Sequence, residues 1–453
     1  MSGLATPQEL EYFTQRYGVV LLIALSLAIF LTPLVLRIAE GSPITPGAES
    51  YAALRQSELL SQGQITDPFH HVGLLFSPST LLLALMGLFG VPWLLPPLLA
   101  TLLVMLVYHY LLPRYHSKAI VLFGALAFVV SPAMSVLATW HTPIVLCAIL
   151  LLVAAHVDRA TTVLVALAVL ASPALGILGG AGIVAYLWWR HRRVLAALCL
   201  LALGIAAAAL FASSGPVAFE ELLLAHVSPR LLFEFGMPTG VTIFFVIIAG
   251  YGLLAGLPGS RLSGVGAALA LTLLAALFPS SILLLTLLLA VLVGHAIQHL
   301  LVAQWRLGML QESLLILIAC AALFLVITTV RERVADSPNG ELSHALVELR
   351  NQAHPGAVLT APVYSPLVEY YTGRIAALPS DATDISVFSS RNADETYRWM
   401  NESGVGYVLV TDEMRQTLFS RSDEGLLFLL QNSGRFVEAY STGNTKVWYF
   451  IRT

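Results

Sequence analysis

The chain has 453 residues, of which 58% are hydrophobic and only 11% are charged, and its formal net charge is -3. That much apolar surface cannot be buried inside one or two soluble cores, so the composition predicts a membrane protein. The chain contains no basic stripe that could neutralise phosphates, which excludes nucleic acid as an expected partner.

The first 330 residues are predicted to form a polytopic, all-α membrane domain. An apolar helix of roughly 20 residues crosses about 30 Å of hydrocarbon. Eleven runs meet or approach that length: 18–36, 73–90, 92–112, 119–138, 141–157, 161–189, 194–212, 241–258, 263–279, 280–301 and 311–330. Three prolines, Pro132, Pro143 and Pro173, could divide spans into half-helices, so the expected number of transmembrane helices is 11 to 13.

A composition break near Val330 predicts a second domain, a small soluble α/β domain over residues 331–453. This segment holds 26 of the 49 charged residues of the chain, an ordinary density for a soluble domain. Periodicity and turn residues predict an alternation of helices and strands. The expected helices are 341–353, 393–402 and 425–431, and the expected strands are 357–361, 407–410, 435–440 and 446–451.

The orientation in the cell membrane follows from the arginines of the short loops. Arg190, Arg192 and Arg193 form a basic turn that favours the cytoplasmic side. Loops 38–72 and 213–240, together with the whole C-terminal domain, are then expected on the external side. Arg114, Lys118 and Arg159 also fall outside on this scheme, against the rule, so the charge signal is mixed.

Acidic residues are concentrated in the two long external loops. Of the eleven acids before residue 331, seven lie there: Glu40, Glu49, Glu58, Asp67, Glu220, Glu221 and Glu234. Carboxylates on loops at a membrane boundary can serve as bases or metal ligands. The alternative is that these loops simply keep charge in water.

The first loop contains a predicted short helix. Tyr51, Leu54 and Leu59 recur at near-helical spacing, which is typical of an amphipathic helix lying on the membrane surface. Pro46 and Gly47 precede it and place Glu49 in its first turn, where the helix dipole favours an ionised carboxylate.

The order of these motifs resembles the GT-C superfamily of membrane glycosyltransferases, most closely the prokaryotic relatives of oligosaccharyltransferase catalytic subunits and of protein mannosyltransferases. The residues that carry the resemblance are Gly47, Glu49, Tyr51, Leu54 and Arg55 of the first loop, followed by Asp67-Pro68-Phe69 and by Pro78. Later segments follow in the family's order: Phe233-Glu234-Phe235-Gly236, Val358-Leu359-Thr360-Ala361-Pro362, Glu369-Tyr370-Tyr371-Thr372-Gly373-Arg374 and Tyr407-Val408-Leu409-Val410.

The resemblance implies a lipid-linked donor, a sugar carried on a polyprenyl phosphate or diphosphate. It also implies transfer at the external membrane face with inversion at the anomeric carbon, to an acceptor glycan, lipid or protein. The motif match makes Glu49 the general base, or a ligand of a divalent cation, Mg or Mn, in the metal-dependent branch. Arg55 and Arg230 are the expected phosphate-binding residues, with Tyr51, Asp67 and Glu234 as further substrate-binding residues. An ion pair with a loop acid, or contact with membrane lipid headgroups, is the alternative role of both arginines.

The histidine pair His70-His71 is a candidate metal site, because imidazole suits zinc or manganese. Adjacent histidines on an extended segment point in opposite directions, however, and Asp67 is the only nearby carboxylate.

Three departures from the family pattern keep other functions open. Glu49 stands where Asp is commonest, the next external segment has no Asp-x-Asp pair, and the tail has no Trp-Trp-Asp motif. These departures argue against a peptide-asparagine oligosaccharyltransferase, and they leave a simpler sugar transferase or a non-catalytic scaffold subunit. A transporter or flippase is the third hypothesis, which the near absence of charged residues in the middle of spans disfavours.

Overall fold

The computed structural model describes most of the chain. The described residues are 6–48, 50–64, 78–111, 113, 117–141, 143–157, 160–214, 242–256, 282–303, 308–378, 382, 385–419 and 425–452. The chain forms two compact units, the first of residues Met1–Pro33 and Val72–Val334 and the second of residues Leu34–His71 and Ala335–Thr453. The second unit therefore joins most of the first long loop to the C-terminal segment.

The regular secondary structure of the first unit is all helical in the residues that the structure describes. Its helices are α1 (Pro7–Ala39, whose last turns belong to the second unit), α3 (Pro78–Leu88), α4 (Leu95–Leu111), α5 (Lys118–Val129), α6 (Pro132–Thr139), α7 (Pro143–Ala154), α8 (Thr161–Ala171), α9 (Pro173–Trp189), α10 (Arg193–Ser214), α11 (Ile243–Gly256), α12 (Ile282–Val302) and α13 (Gly308–Ala335). A short 3-10 helix, Pro92–Leu94, precedes α4.

Several of these helices are long and apolar enough to cross a membrane. Four described stretches meet that test outright: Gln8–Ala39, Pro92–Leu111, Leu283–Val302 and Gly308–Asn351. The pair α5 and α6 meets it as a span bent by 62°, and six further apolar helices are shorter, with 10 to 17 residues. The prediction of a polytopic all-α membrane domain is confirmed. The number of spans stays a prediction, because the expected span 263–279 lies outside the described residues.

Prolines divide the spans where the sequence indicated. Pro132, Pro143 and Pro173 are each the first residue of a helix, α6, α7 and α9 respectively. Proline is favoured at this position because its missing N–H would have no partner inside the helix. The predicted run 161–189 accordingly forms two helices, α8 and α9.

Glycines bring three helices of the first unit into backbone contact. A Cβ atom on Gly252 of α11 would overlap the Leu292 carbonyl oxygen of α12, and one on Gly294 of α12 would overlap the Ile120 carbonyl oxygen of α5. Small residues allow such close approach in membrane helix bundles, where dispersion contacts drive association. The packing of α5, α11 and α12 therefore depends on these glycines.

The C-terminal part of the second unit is the expected small α/β domain. Its strands are β1 (Ala357–Leu359), β2 (Val405–Val410), β3 (Phe436–Thr442) and β4 (Thr445–Phe450), in the sheet order β1-β2-β4-β3. Strands β1 and β2 are parallel, and the other two pairs are antiparallel. All six residues of β2 are buried, as expected for an inner strand covered on both faces.

Helices of the second unit come from both parts of the chain. They are α2 (Ser50–Ser61), α14 (Gly340–Asn351), α15 (Ser365–Thr372), α16 (Ser386–Ser389), α17 (Ala393–Glu402), α18 (Asp412–Thr417) and α19 (Gly425–Asn432), with a 3-10 helix at Pro362–Tyr364. Asn339 caps α14, because its side-chain oxygen accepts a hydrogen bond from the Leu342 N–H at 2.8 Å. Helix α2 confirms the helix that the sequence predicts in the first loop.

Candidate functional site

The structure describes two of the eight residues that the sequence singles out, Tyr51 and Arg55. Both lie on the buried face of α2. The other six lie outside the described residues: Glu49, Asp67, His70, His71, Arg230 and Glu234. The described part of the candidate site is therefore α2, together with the residues of the second unit that contact it.

The chain enters α2 through a fixed turn. Gly47 has a φ of +81°, a left-handed conformation that glycine adopts without steric cost. Its N–H donates to the Ser337 carbonyl oxygen at 2.7 Å, and the Ser50 hydroxyl donates to the Pro46 carbonyl oxygen at 3.0 Å. Glu49 follows this turn in the chain, between Ala48 and Ser50, both of which are buried.

Arg55 forms a buried ion pair with Glu369 of α15. The guanidinium Nη1 lies 2.6 Å from the carboxylate Oε2, and the two side chains are 10% and 5% exposed. A charged group so far out of water is stabilised by a partner of opposite charge at hydrogen-bond distance. Of the two alternatives considered for Arg55, an ion pair is the one present, but with an acid of the C-terminal segment instead of a loop acid.

Tyr51 lies in a cluster of three tyrosines. Its ring centroid is 5.1 Å from that of Tyr370 and 5.4 Å from that of Tyr371. The Tyr51 hydroxyl donates to the Thr45 carbonyl oxygen at 3.0 Å and accepts from the Tyr371 hydroxyl at 3.4 Å. Tyr51 is only 3% exposed, so its contacts are with the protein.

Burial changes the acidity of this cluster. It raises the pKa of the Tyr51, Tyr370 and Tyr371 phenols above the usual 10.0, since a phenolate would lose its hydration there. The Glu58 carboxylate, which accepts a hydrogen bond from the Tyr370 hydroxyl at 3.1 Å, raises the pKa of Tyr370 further. The three phenols therefore stay neutral at physiological pH.

Together these contacts join two segments that the sequence singled out separately. Tyr51, Arg55 and Glu58 are three or four positions apart and so share one face of α2. They meet three consecutive residues of α15, Glu369-Tyr370-Tyr371. The first-loop motif and the Glu-Tyr-Tyr motif of the tail are one docked pair of helices.

Arg37, at the end of α1, makes a second connection inside the same unit. Its side chain is fully buried and donates to the carbonyl oxygens of Pro43, Asp336 and Pro338 at 2.7, 2.6 and 2.6 Å. These bonds link the start of the first loop to the start of the C-terminal segment.

Sequence reasoning did not assign a role to Glu369, Tyr370, Tyr371 or Arg37. The Glu-Tyr-Tyr motif was a usable signal, because an acid beside two aromatic residues on a short helix predicts a contact surface. Arg37 gave only the weaker signal of a charge that ends an apolar run.

A metal site is not found in the part of the chain that the structure describes. No three His, Cys, Asp or Glu side chains there lie close enough to hold an ion. The predicted ligands Glu49, His70 and His71 all fall outside that part, so the divalent cation, Mg or Mn, stays a prediction.

No protein-family model and no curated protein sequence matches the chain. Several solved structures, in contrast, are similar to the chain. The apo oligosaccharyltransferase of Archaeoglobus fulgidus matches with a TM-score of 0.65 at 13% identity, over 98% of this chain and 75% of the other. The oligosaccharyltransferase AglB of the same organism, in complex with an inhibitory peptide and a dolichol-phosphate, matches with a TM-score of 0.59 at 13% identity, over 97% and 75%.

A third solved structure is similar over almost the whole of both chains. ArnT from Cupriavidus metallidurans, bound to undecaprenyl phosphate, matches with a TM-score of 0.53 at 14% identity, over 96% of this chain and 98% of the other. Both ArnT and AglB are GT-C glycosyltransferases. The chain therefore has the GT-C fold, and the resemblance inferred from the sequence is confirmed at the level of the fold.

Proposed function

We propose that the chain is a membrane glycosyltransferase that takes a sugar from a polyprenyl phosphate or diphosphate and transfers it at the external membrane face. The observation that carries the proposal is the likeness of fold to an oligosaccharyltransferase over 98% of the chain. The lipid phosphates named in two similar structures, dolichol-phosphate and undecaprenyl phosphate, support a lipid-linked donor.

In the proposed reaction Glu49 is the general base. Its carboxylate takes the proton of an acceptor hydroxyl as the acceptor oxygen attacks the anomeric carbon. The new bond joins the acceptor oxygen to that carbon with inversion, and the bond to the carrier phosphate oxygen breaks. The phosphate leaves with the bonding electron pair, so it needs positive charge nearby.

Arg230 is the proposed source of that charge. The sequence offers Arg55 and Arg230, and Arg55 is already paired with Glu369. A guanidinium suits a phosphate because it can donate two parallel hydrogen bonds. Asp67 and Glu234 remain proposed substrate-binding residues, and the acceptor is a glycan, a lipid or a protein.

The test compares donor binding with sugar transfer in purified protein. Wild type, Glu49→Gln and the control Glu40→Gln are assayed with a polyprenyl-phosphate-linked sugar, with and without a chelator. We expect Glu49→Gln to bind donor like wild type and to lose transfer by about 100-fold or more, the usual size of a general-base effect. Glu40 is an exposed acid of the same loop, so its substitution should leave transfer unchanged. Full transfer by Glu49→Gln would contradict the base assignment, and loss of transfer with the chelator would support the divalent cation.

A non-catalytic GT-C scaffold is the second candidate. One observation favours it: Arg55, which the sequence places at the donor phosphate, forms a buried ion pair with Glu369 instead. Absence of donor binding by wild type in the same assay would support the scaffold and would contradict the transferase.

A further inference from the structure

We infer that Arg55 and Glu369 are a pair of positioning residues, whose ion pair fixes α2, and with it the Glu49 segment, for sugar transfer. The inference rests on the proposed function and deepens it. It gives Arg55 a role other than donor binding, and it gives Glu369, a residue of the C-terminal segment, a role in the first loop.

The burial of the pair is the first argument. The two side chains are 10% and 5% exposed and their charged atoms are 2.6 Å apart. A donor phosphate would have to reach a guanidinium that is 10% exposed and already bonded to Glu369, and separating the pair would leave a buried carboxylate without its cation, which is strongly unfavourable. The geometry therefore favours a permanent pair over a ligand site.

The placement of the pair on α2 is the second argument. Helix α2 has 12 residues, and three of its side chains that bond to α15, those of Tyr51, Arg55 and Glu58, lie about one turn apart along a single face. Contacts at three successive turns set both the rotation of a helix about its axis and its position along that axis. Arg55 supplies the central contact and the only one of the three that is an ion pair.

The connection to Glu49 is the third argument. The backbone before α2 is held at Gly47 by the bond to Ser337, and α2 itself is held by α15. Glu49 lies between these two attachments in the chain. A catalytic carboxylate must be placed to within a fraction of an ångström, and misplacement by about 1 Å can cost 100-fold in rate.

A charge-swap experiment separates positioning from donor binding. Arg55→Glu, Glu369→Arg and the double variant are assayed in the full-length protein for kcat and for KM toward a polyprenyl-phosphate-linked sugar. Arg55→Lys and Glu369→Gln are included as milder changes in case a reversal prevents folding. We expect each reversal to lower kcat at least tenfold with KM changed less than twofold. The double variant and Arg55→Lys should recover most of that loss.

The exposed pair Lys446–Glu438 is the matched control. Its atoms are 2.7 Å apart, but its side chains are 32% and 38% exposed. Such pairs contribute little, so Lys446→Glu and Glu438→Lys should leave kcat and KM at wild-type values. A raised KM with unchanged kcat in Arg55→Lys would show donor binding and overturn the inference. A double variant no better than the weaker single variant would overturn it too.

A second readout distinguishes failure of the inference from failure of the proposed function. Ser57 is buried on α2 and can be replaced by cysteine, in a Cys320→Ser background that removes the exposed native thiol. We expect its labelling by a maleimide to be at least tenfold faster in Arg55→Glu and to return to the starting rate in the double variant. If wild type transfers no sugar but labelling follows this pattern, the proposed function is wrong and the pair still fixes α2. If labelling does not respond to either reversal, the inference is wrong whatever the activity.

Discussion

The Arg37 guanidinium donates a hydrogen bond from Nη2 to the Pro338 carbonyl oxygen, 301 residues later in the chain, at 2.6 Å. Two further carbonyl oxygens, of Pro43 and Asp336, accept from the same side chain. A fully buried guanidinium that satisfies three carbonyl groups ties the end of α1 to the segment that precedes α14.

Replacing Arg37 with alanine should destabilise the second unit by about 3 kcal/mol or more, because three hydrogen bonds from a charged donor are lost and one of the carbonyl groups that accept them, that of Pro338, is buried. Arg37→Lys should recover only part of this, since an ammonium cannot reach in three directions as a guanidinium does. The measurement is the denaturation of purified protein in detergent. Arg331→Ala, at an exposed position of α13, is the control and should change stability by less than about 0.5 kcal/mol. An Arg37→Ala protein as stable as this control would contradict the prediction.

The aromatic ring of Tyr51 should contribute more to the stability of the folded protein than its hydroxyl group does. Tyr51→Phe removes the bond to the Thr45 carbonyl oxygen and should cost about 1 kcal/mol. Tyr51→Ala also removes the contacts with Tyr370 and Tyr371 and leaves a cavity, so it should cost about 3–5 kcal/mol. The measurement is the free energy of unfolding of each variant, compared with that of wild type. Equal losses would mean that the hydroxyl, and not the packing, is the important group.

The tyrosine cluster predicts a loss of stability in alkali. The pKa of each of the three phenols is raised in the folded protein by burial, from about 10 in an unfolded chain. A group with a raised folded-state pKa contributes stability that is complete below the unfolded pKa and is lost as pH rises through the folded pKa. The melting temperature should therefore fall as pH rises above about 10. The double variant Tyr370→Phe/Tyr371→Phe should show a shallower fall, whereas Tyr440→Phe, on β3 outside the cluster, should follow wild type. Parallel curves for all three proteins would exclude the cluster as the cause.

Local signals in the sequence predicted the elements of the fold well. Helix α17 has the predicted bounds 393–402, and β2 begins two residues before the predicted 407. The turn at Gly443 joins β3 and β4, between the two strands that the sequence predicts at 435–440 and 446–451. These features depend on residues close together in the chain, which periodicity and turn chemistry report directly. Helix α15 was recognised only as a motif, because eight residues with Pro366 near the start give little periodicity.

Contacts between residues that are far apart in the chain could not be predicted from the sequence. Arg55 and Glu369 are 314 positions apart, and nothing in either local pattern selects the other among the acids and bases of the chain. Burial of α2 against α15 also differs in kind from the membrane-surface position that amphipathic spacing suggested for this helix, because the same stripe of residues suits a lipid surface or a protein surface. Spacing identified the face of α2, and only the fold identifies what covers it.

The proposed orientation predicts which parts of the chain a membrane-impermeant maleimide reaches on intact cells. Gly434 lies in an exposed turn before β3, and a side chain there would meet nothing within 4 Å, so Gly434→Cys should be well tolerated. Arg190 is exposed at the end of α9, in the basic turn expected on the cytoplasmic side. In a Cys320→Ser background we expect Gly434→Cys to be labelled on intact cells and Arg190→Cys only after permeabilisation.

If the labelling pattern were reversed, Glu49 and the C-terminal domain would face the cytoplasm. The donor would then have to be a lipid-linked sugar on the cytoplasmic side of the membrane. The reversed pattern would therefore contradict transfer at the external face while leaving the buried Arg55–Glu369 pair unaffected.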